Sequence, residues 1–197
     1  MTIIAEKTIR RSRADLYGLA ISLKRQRDLV AALSTIEDAR RAGPANPWIE
    51  NLVGEIYAAQ DQPAKARAQY EKATKLFPGS RALFQGLVAA QLDTGANKEA
   101  LVAIEERLRQ TPNEPRLYDL QAKAYAAAGK QLAQNRAIAE AHYRRGRISA
   151  AIEQLDLALK QRDGDFYERS GAEARSREWK AELAELKKDK KYDPSER

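Results

Sequence analysis

Residues 44–78 read PANPWIENLVGEIYAAQDQPAKARAQYEKATKLFP, and the prolines that bound this stretch organise the whole chain. Pro44 and Pro78 are 34 residues apart, and Pro112 follows at the same distance. Ala66 is matched at that spacing by Ala32 and Ala100, and Tyr70 by Ile36 and Ile104. Earlier in each unit come Ala20, Gly54, Val88 and Ala122, followed three places on by Leu23, Tyr57, Gln91 and Tyr125. The physics is that of two antiparallel helices per unit. A small residue in the first helix, facing an Ala that opens the second, lets the two backbones approach. The large residue one turn later fills the space between units, and a proline closes the second helix because it cannot continue one. Two positions depart from the pattern. Glu50 stands where a large residue is expected, with Trp48 two places earlier expected to supply the missing bulk, and Gln91 replaces an aromatic.

A repeat of this length and composition resembles the tetratricopeptide-repeat (TPR) pattern. The register then shifts. Gly129 and Gly146 both read as turns between helices, yet they lie 17 apart, half a unit, and Ala100 to Ala151 spans one and a half units. Residues 132–145 are therefore read as one helix shared between two overlapping units. Ala151, Leu155 and Ala158 mark the next helix, and Gly164 breaks the chain. A last helix runs from about Phe166 to Lys188, with Ala172, Ser176, Trp179, Leu183 and Leu186 as its buried stripe. The predicted fold class is all-α, a TPR superhelix of about ten antiparallel helices with a long C-terminal capping helix. The predicted helices are 14–27, 30–42, 46–60, 63–76, 80–95, 97–109, 114–128, 131–145, 148–161 and 166–188. Residues 1–13 are read as a basic N-terminal tail, 14–188 as the array with its cap, and 189–197 as a disordered tail.

Composition agrees with stacked helices. Of 197 residues, 43% are hydrophobic but only 7% aromatic, so the core must be thin and made of small side chains. The net charge is +7, which admits acidic protein, nucleic acid or anionic membrane partners without choosing among them. The basic runs at Arg10, Arg11 and Arg13, at Arg144, Arg145 and Arg147, and at Lys187, Lys188, Lys190 and Lys191 are read as solvated faces and frayed ends. No apolar run approaches a membrane-spanning length, and the first residues hold no apolar core long enough for a signal peptide. The chain is thus either cytosolic or begins after a removed segment.

The C-terminal stretch is more specific. Leu117-Tyr118-Asp119-Leu120-Gln121-Ala122 leads through Gly129 to Ala137-Ile138-Ala139-Glu140-Ala141-His142-Tyr143-Arg144-Arg145-Gly146. Ala150-Ala151-Ile152-Glu153-Gln154-Leu155 and Gly164-Asp165-Phe166-Tyr167 follow. This run resembles the C-terminal TPR domain of bacterial periplasmic zinc metallopeptidases of the β-barrel assembly-enhancing protease family, over about residues 14–186. In that family a preceding protease domain carries the HExxH zinc motif, which no part of this chain matches. The resemblance implies a non-catalytic protein-binding module. It implies a periplasmic address and a role in outer-membrane protein assembly and quality control. Its partners would be the assembly machinery and an upstream protease domain, and zinc is expected only in that domain. A free-standing cytosolic TPR adaptor is the alternative. An RNA-binding helical repeat is disfavoured, because the groove positions differ in type from unit to unit.

Catalytic chemistry finds no set of residues. There is no cysteine, and His142 is the only histidine, so neither a two-histidine zinc site nor thiolate catalysis can be built. Gly129-Lys130 lacks the leading glycine and the hydroxyl residue of a phosphate loop. His142 occupies the helix position of Tyr57 and Tyr125 and is read as a packing residue. No catalytic, metal or cofactor residue is assigned. First helices of the units are expected to line a concave groove for an extended peptide or a helix. The groove residues assigned are Tyr17, Trp48, Asn51, Glu55, Gln85, Arg116, Asp119, Lys123, Arg136 and Tyr143. Arg116, Lys123 and Arg136 are expected to guide an acidic segment.

Overall fold

The computed structural model describes residues 12–188, so residues 1–11 of the predicted N-terminal tail and the whole predicted tail 189–197 lie outside the described residues. The described residues form ten helices and no strand. They fall into two compact units, one ending at Thr94 and the other beginning at Gly95. The first unit holds α1 (Arg13–Arg25), α2 (Leu29–Arg41), α3 (Pro47–Ala59), α4 (Pro63–Leu76) and α5 (Arg81–Asp93). The second holds α6 (Asn97–Gln110), α7 (Pro115–Ala127), α8 (Gln131–Arg144), α9 (Ile148–Lys160) and α10 (Phe166–Lys188). The all-helical reading and its ten elements hold.

Local chemistry places the boundaries. Ser12 and Asp15 form a reciprocal capping box at the start of α1, and Asp28, Asn46 and Ser80 accept backbone N–H groups at the starts of α2, α3 and α5. Pro47, Pro63 and Pro115 occupy first turns, where the missing N–H costs nothing. Turns out of first helices share one device, a residue with positive φ. It recurs at Arg27, Asp61, Gly95 and Gly129, each 34 after the last. The 6→1 backbone bonds Asp28 N–H to Leu23, Gln62 N–H to Tyr57 and Lys130 N–H to Tyr125 close such turns in a Schellman pattern.

α8 obeys two rules at once. It follows α7 across the Gly129 turn, as a second helix does. It then ends at Gly146, with φ 75° and the 6→1 bond Arg147 N–H to His142, as a first helix does. Packing agrees. In the first unit α1, α3 and α5 touch in series through α1–α3 and α3–α5, whereas in the second unit the corresponding contact is α8–α10. The shared helix predicted from the 17-residue spacing is thus a helix that changes layer. The loop after α9 pins it. Asp163 accepts the Leu132 backbone N–H at 3.1 Å, capping α8 from 31 residues away, and Gly164 lies so close to Leu132 that a Cβ there would stand 2.8 Å from Cδ1.

The cores are thin, as expected. In the first unit Ala20, Ala32, Ile36, Ala39, Ile49, Leu52, Val53 and Ile56 form one cluster, and Ala66, Tyr70, Ala73, Leu83 and Ala90 another. Tyr70 is the large residue of its unit, and its ring lies over Gly54 of α3 and Gly86 of α5; a Cβ at either glycine would overlap it. In the second unit Ala139, Ile148, Ala151, Ile152, Leu155, Ala172 and Trp179 cluster, with Leu183 and Leu186 packed against them. Trp179 is fully buried and stacks on Tyr143 at 4.4 Å between centroids.

Glu50 corrects one expectation. Trp48 does not supply bulk for it; the indole is 64% exposed. Glu50 is instead buried among hydrogen-bond donors. Its oxygens accept from Arg40 Nε at 2.9 Å and Nη2 at 2.5 Å, and from Gln69 Nε2 at 2.6 Å. A buried carboxylate with this full set of donors is tolerated where an unpaired one would not be.

Two outcomes follow for stability. Gly86→Ala should lower the unfolding free energy by about 1–3 kcal/mol through overlap with Tyr70, despite the better helix propensity of alanine. A chemical melt showing equal or greater stability would mean that the ring has room to move. Trp179→Ala should cost about 3–5 kcal/mol. A thermal melt left unchanged would show that α10 is only loosely attached.

Candidate functional site

The first unit has a concavity of about 450 Å³ along α3 and α5. Ala58, Ala82, Gly86, Ala89 and Ala90 form much of its wall, with Asn51, Glu55, Gln85, Asp93 and Lys24 as its polar groups. Tyr70 lines it too, its ring lying over Gly86. Glu55 is engaged by an ion pair with Lys24 and by Asn51 Nδ2 at 2.7 Å. The Asn51 side-chain carbonyl and the Gln85 side-chain amide remain as groups that can accept and donate. Their setting is one in which an extended backbone can approach closely.

The assigned residues fall into several environments. Asn51, Glu55 and Gln85 come together in this concavity. Tyr17 is half-buried against the first core cluster, its hydroxyl pKa raised by burial and then by the Glu55 carboxylate. Trp48 is exposed and is not among the lining residues. In the second unit Asp119 is bound by the Arg145 guanidinium, with Nη1 at 3.1 Å, while Arg116 and Lys123 are exposed on the same face of α7. Tyr143 stacks on Trp179 and donates to Glu182 at 2.8 Å, which raises its pKa along with burial. Arg136 lines a second concavity of about 260 Å³ between α7, α8 and α10.

That second concavity takes the opposite face of α7. At 100° per residue Arg116, Asp119 and Lys123 share one side, and Tyr118, Gln121 and Tyr125, which line the pocket, share the other. The sequence reading missed these three residues because it carried groove positions forward in steps of a full repeat. The half-repeat shift at Gly146 was the available signal. Glu140, Arg175, Glu168 and Gly171 complete the wall. Arg175 donates to Glu140 at 2.9 Å and to Glu178 at 3.0 Å, and lies over the Trp179 ring at 5.2 Å. Its pKa is raised, chiefly by the hydrogen bond to Glu140.

Among the described residues no group of three or more His, Cys, Asp and Glu is placed to hold a metal ion. Among the same residues no helix is long and apolar enough to cross a membrane.

Comparisons with known proteins agree on the fold. Residues 57–124 match the Tetratricopeptide repeat family. The chain is similar in structure to the 41-end portion of MamA from Desulfovibrio magneticus RS-1, at 19% identity and a TM-score of 0.59, covering 91% of this chain and 97% of that one. It is similar to TTC0263, a thermophilic TPR protein of Thermus thermophilus, at 18% identity and a TM-score of 0.54, covering 83% and 98%. A tetratricopeptide repeat protein from Parabacteroides merdae ATCC 43184 aligns at 12% identity with a TM-score of 0.55, covering 81% and 69%. No curated protein matches the chain. The fold is that of a tetratricopeptide-repeat domain, a class that binds proteins or peptides, and no catalytic family is indicated.

His142 provides a check on the layer change, since it stands where Tyr57 and Tyr125 stand in earlier first helices. Its Nδ1 is buried without a hydrogen-bond partner. Burial first, then the Arg147 and Arg145 charges, lower its pKa from 6.5, with Asp119 and Glu153 opposing. A lowered folded pKa favours the neutral ring, so the contribution to stability is present above pH 6.5 and is lost as pH falls through the folded value. An NMR titration of this lone histidine should give a midpoint below 6.5; a midpoint above it would place the ring in solvent or beside a carboxylate.

Proposed function

We propose that this chain is the protein-binding part of a periplasmic system for outer-membrane protein assembly and quality control, acting beside a zinc metallopeptidase domain. The observation that carries this reading is the half-repeat shift at α8, followed by the Asp165-Phe166-Tyr167 entry to a long last helix. These are the most specific features of the resemblance to the assembly-enhancing protease family. In this reading the α3–α5 concavity takes an extended client segment. Its backbone is met by the Asn51 and Gln85 side chains and seated against the alanine and glycine wall. Zinc and peptide cleavage belong to the protease domain, and this chain supplies recruitment.

A free-standing cytosolic adaptor would use the same concavity, so cellular address separates the two. Photo-crosslinkers at Asn51 and Gln85 should capture outer-membrane assembly proteins or their unfolded clients from the periplasm. Probes at the exposed second-helix positions Lys65 and Glu99 should stay silent. Capture only of cytosolic proteins at Asn51 and Gln85 would replace the periplasmic reading with the adaptor. Capture confined to Lys65 and Glu99 would remove the groove assignment altogether.

A further inference from the structure

The pocket between α7, α8 and α10 presents hydrogen-bond donors whose acceptors are missing. Among the described residues the Arg136 guanidinium makes no ion pair and no hydrogen bond, although it is half-buried and lines the pocket. Gly171 of α10 lies beside it; a Cβ there would stand 3.9 Å from Arg136 Nη2, so only bare backbone flanks the charge on that side. Tyr125 and Gln121 line the same space and make no side-chain hydrogen bond among the described residues; burial and the Glu105 and Glu168 carboxylates raise the Tyr125 pKa, with the Arg136 charge opposing. Tyr118 contributes its ring alone, since its hydroxyl donates to the Pro112 carbonyl at 2.9 Å.

The two carboxylates in the wall do not answer these donors. Glu140 is held by Arg175 at 2.9 Å and by Arg144 at 3.4 Å. Glu168 accepts the Asp165 backbone N–H at 3.1 Å while its own N–H is capped by Asp165 at 2.8 Å, which closes the start of α10. A guanidinium without an ion pair, lining one pocket together with a tyrosine and a glutamine, fits a planar anion, because the guanidinium fork matches a carboxylate in two parallel hydrogen bonds.

We propose that this pocket binds a glutamate or aspartate side chain of an extended acidic segment in a partner protein, through Arg136, Tyr125 and Gln121. The proposal rests on the protein-binding reading and gives that partner a chemistry. A volume of about 260 Å³ admits a side chain and not a helix, which is about 10–12 Å across. A segment with several carboxylates also gains from the net charge of +7 beyond the pocket, which a single chain terminus does not.

The probe is a short acetylated and amidated peptide of alternating glutamate and alanine, at physiological ionic strength, where exposed charges are screened. Its glutamine counterpart is run in amidated and free-acid forms. The glutamate peptide should bind, with NMR shifts centred on Gln121, Tyr125 and Gly171, and neither glutamine form should compete. Arg136→Gln should weaken binding about ten-fold, as loss of a bidentate charged pair does, and Tyr125→Phe severalfold. Lys98→Gln, the same charge change at an exposed site on α6, should leave it unchanged. Equal losses in Arg136→Gln and Lys98→Gln, absence of glutamate-peptide binding, or equal binding of the free-acid glutamine peptide would each overturn the proposal. Asn51→Ala with Gln85→Ala, in the other unit, reports on the client groove alone. A change there with Arg136 silent would leave the protein-binding reading standing and remove this one.

Discussion

Tyr70 can lie across α3 and α5 only because Gly54 and Gly86 carry no Cβ, and the first unit is organised around that allowance. A core built from Ala32, Ala39, Ala66 and Ala73 buries little apolar area per residue. It becomes adequate when backbones approach closely, since dispersion falls steeply with separation. Tyr70 fills the one larger gap that remains between neighbouring first helices. Burial raises its hydroxyl pKa, with Glu55 adding to the effect, as expected of a ring pressed between helices. The same ring lines the first unit's concavity beside Gly86, Ala82, Ala89 and Ala90.

The second unit meets the same constraint differently. Its last helix has no further helix to cover it within the described residues, so the large residue comes from the helix itself. Trp179 turns inward against Tyr143, and Arg175 lies over both rings. The indole N–H is buried without a partner, which costs free energy that the stacked and cationic contacts must offset. The last helix is thus fixed at its centre, while Phe166 and Tyr167 at its start remain 76% and 82% exposed.

Much of this was legible in the sequence because translation by 34 residues preserves helical phase and layer together. Prolines, the Ala66 series and the Tyr70 series therefore located helices and core from spacing alone, and the stripe from Ala172 to Leu186 located the cap. Three things were not legible. Arg27 and Asp61 make the left-handed turn that glycine makes at Gly95 and Gly129, so composition hides half of that series. Glu50 is paired by Arg40, ten residues before it on another helix, and Gln69, nineteen after it, and no local pattern announces such a partnership. The lining of the second unit's concavity was not legible either: Asp119 and Lys123, extrapolated from Asn51 and Glu55 in steps of 34, lie on the side of α7 away from Tyr118, Gln121 and Tyr125.

The two concavities differ in what they leave unanswered. In the first, Glu55 is neutralised by Lys24 and Asn51, and what remains is a pair of amides that suits main chain of any sequence. In the second, Glu140 is paired with Arg175 and Arg144 and Glu168 caps the start of α10, while the Arg136 guanidinium makes no ion pair. Arg136 is half-buried, shares its pocket with Glu140 and Glu168 without an ion pair to either, and rests beside Gly171, where a Cβ would stand 3.9 Å from its Nη2. Arg175, one turn further along α10, shows how the same helix satisfies an arginine when structure alone is at stake, with two carboxylates and two rings. The contrast between these neighbouring arginines, one completed by its own fold and one without an ion pair, is what motivates the proposal of an acceptor from outside. On the two proposals, one groove is tolerant of sequence and one pocket selective for charge, a division that suits a scaffold receiving varied segments while discriminating among their carriers.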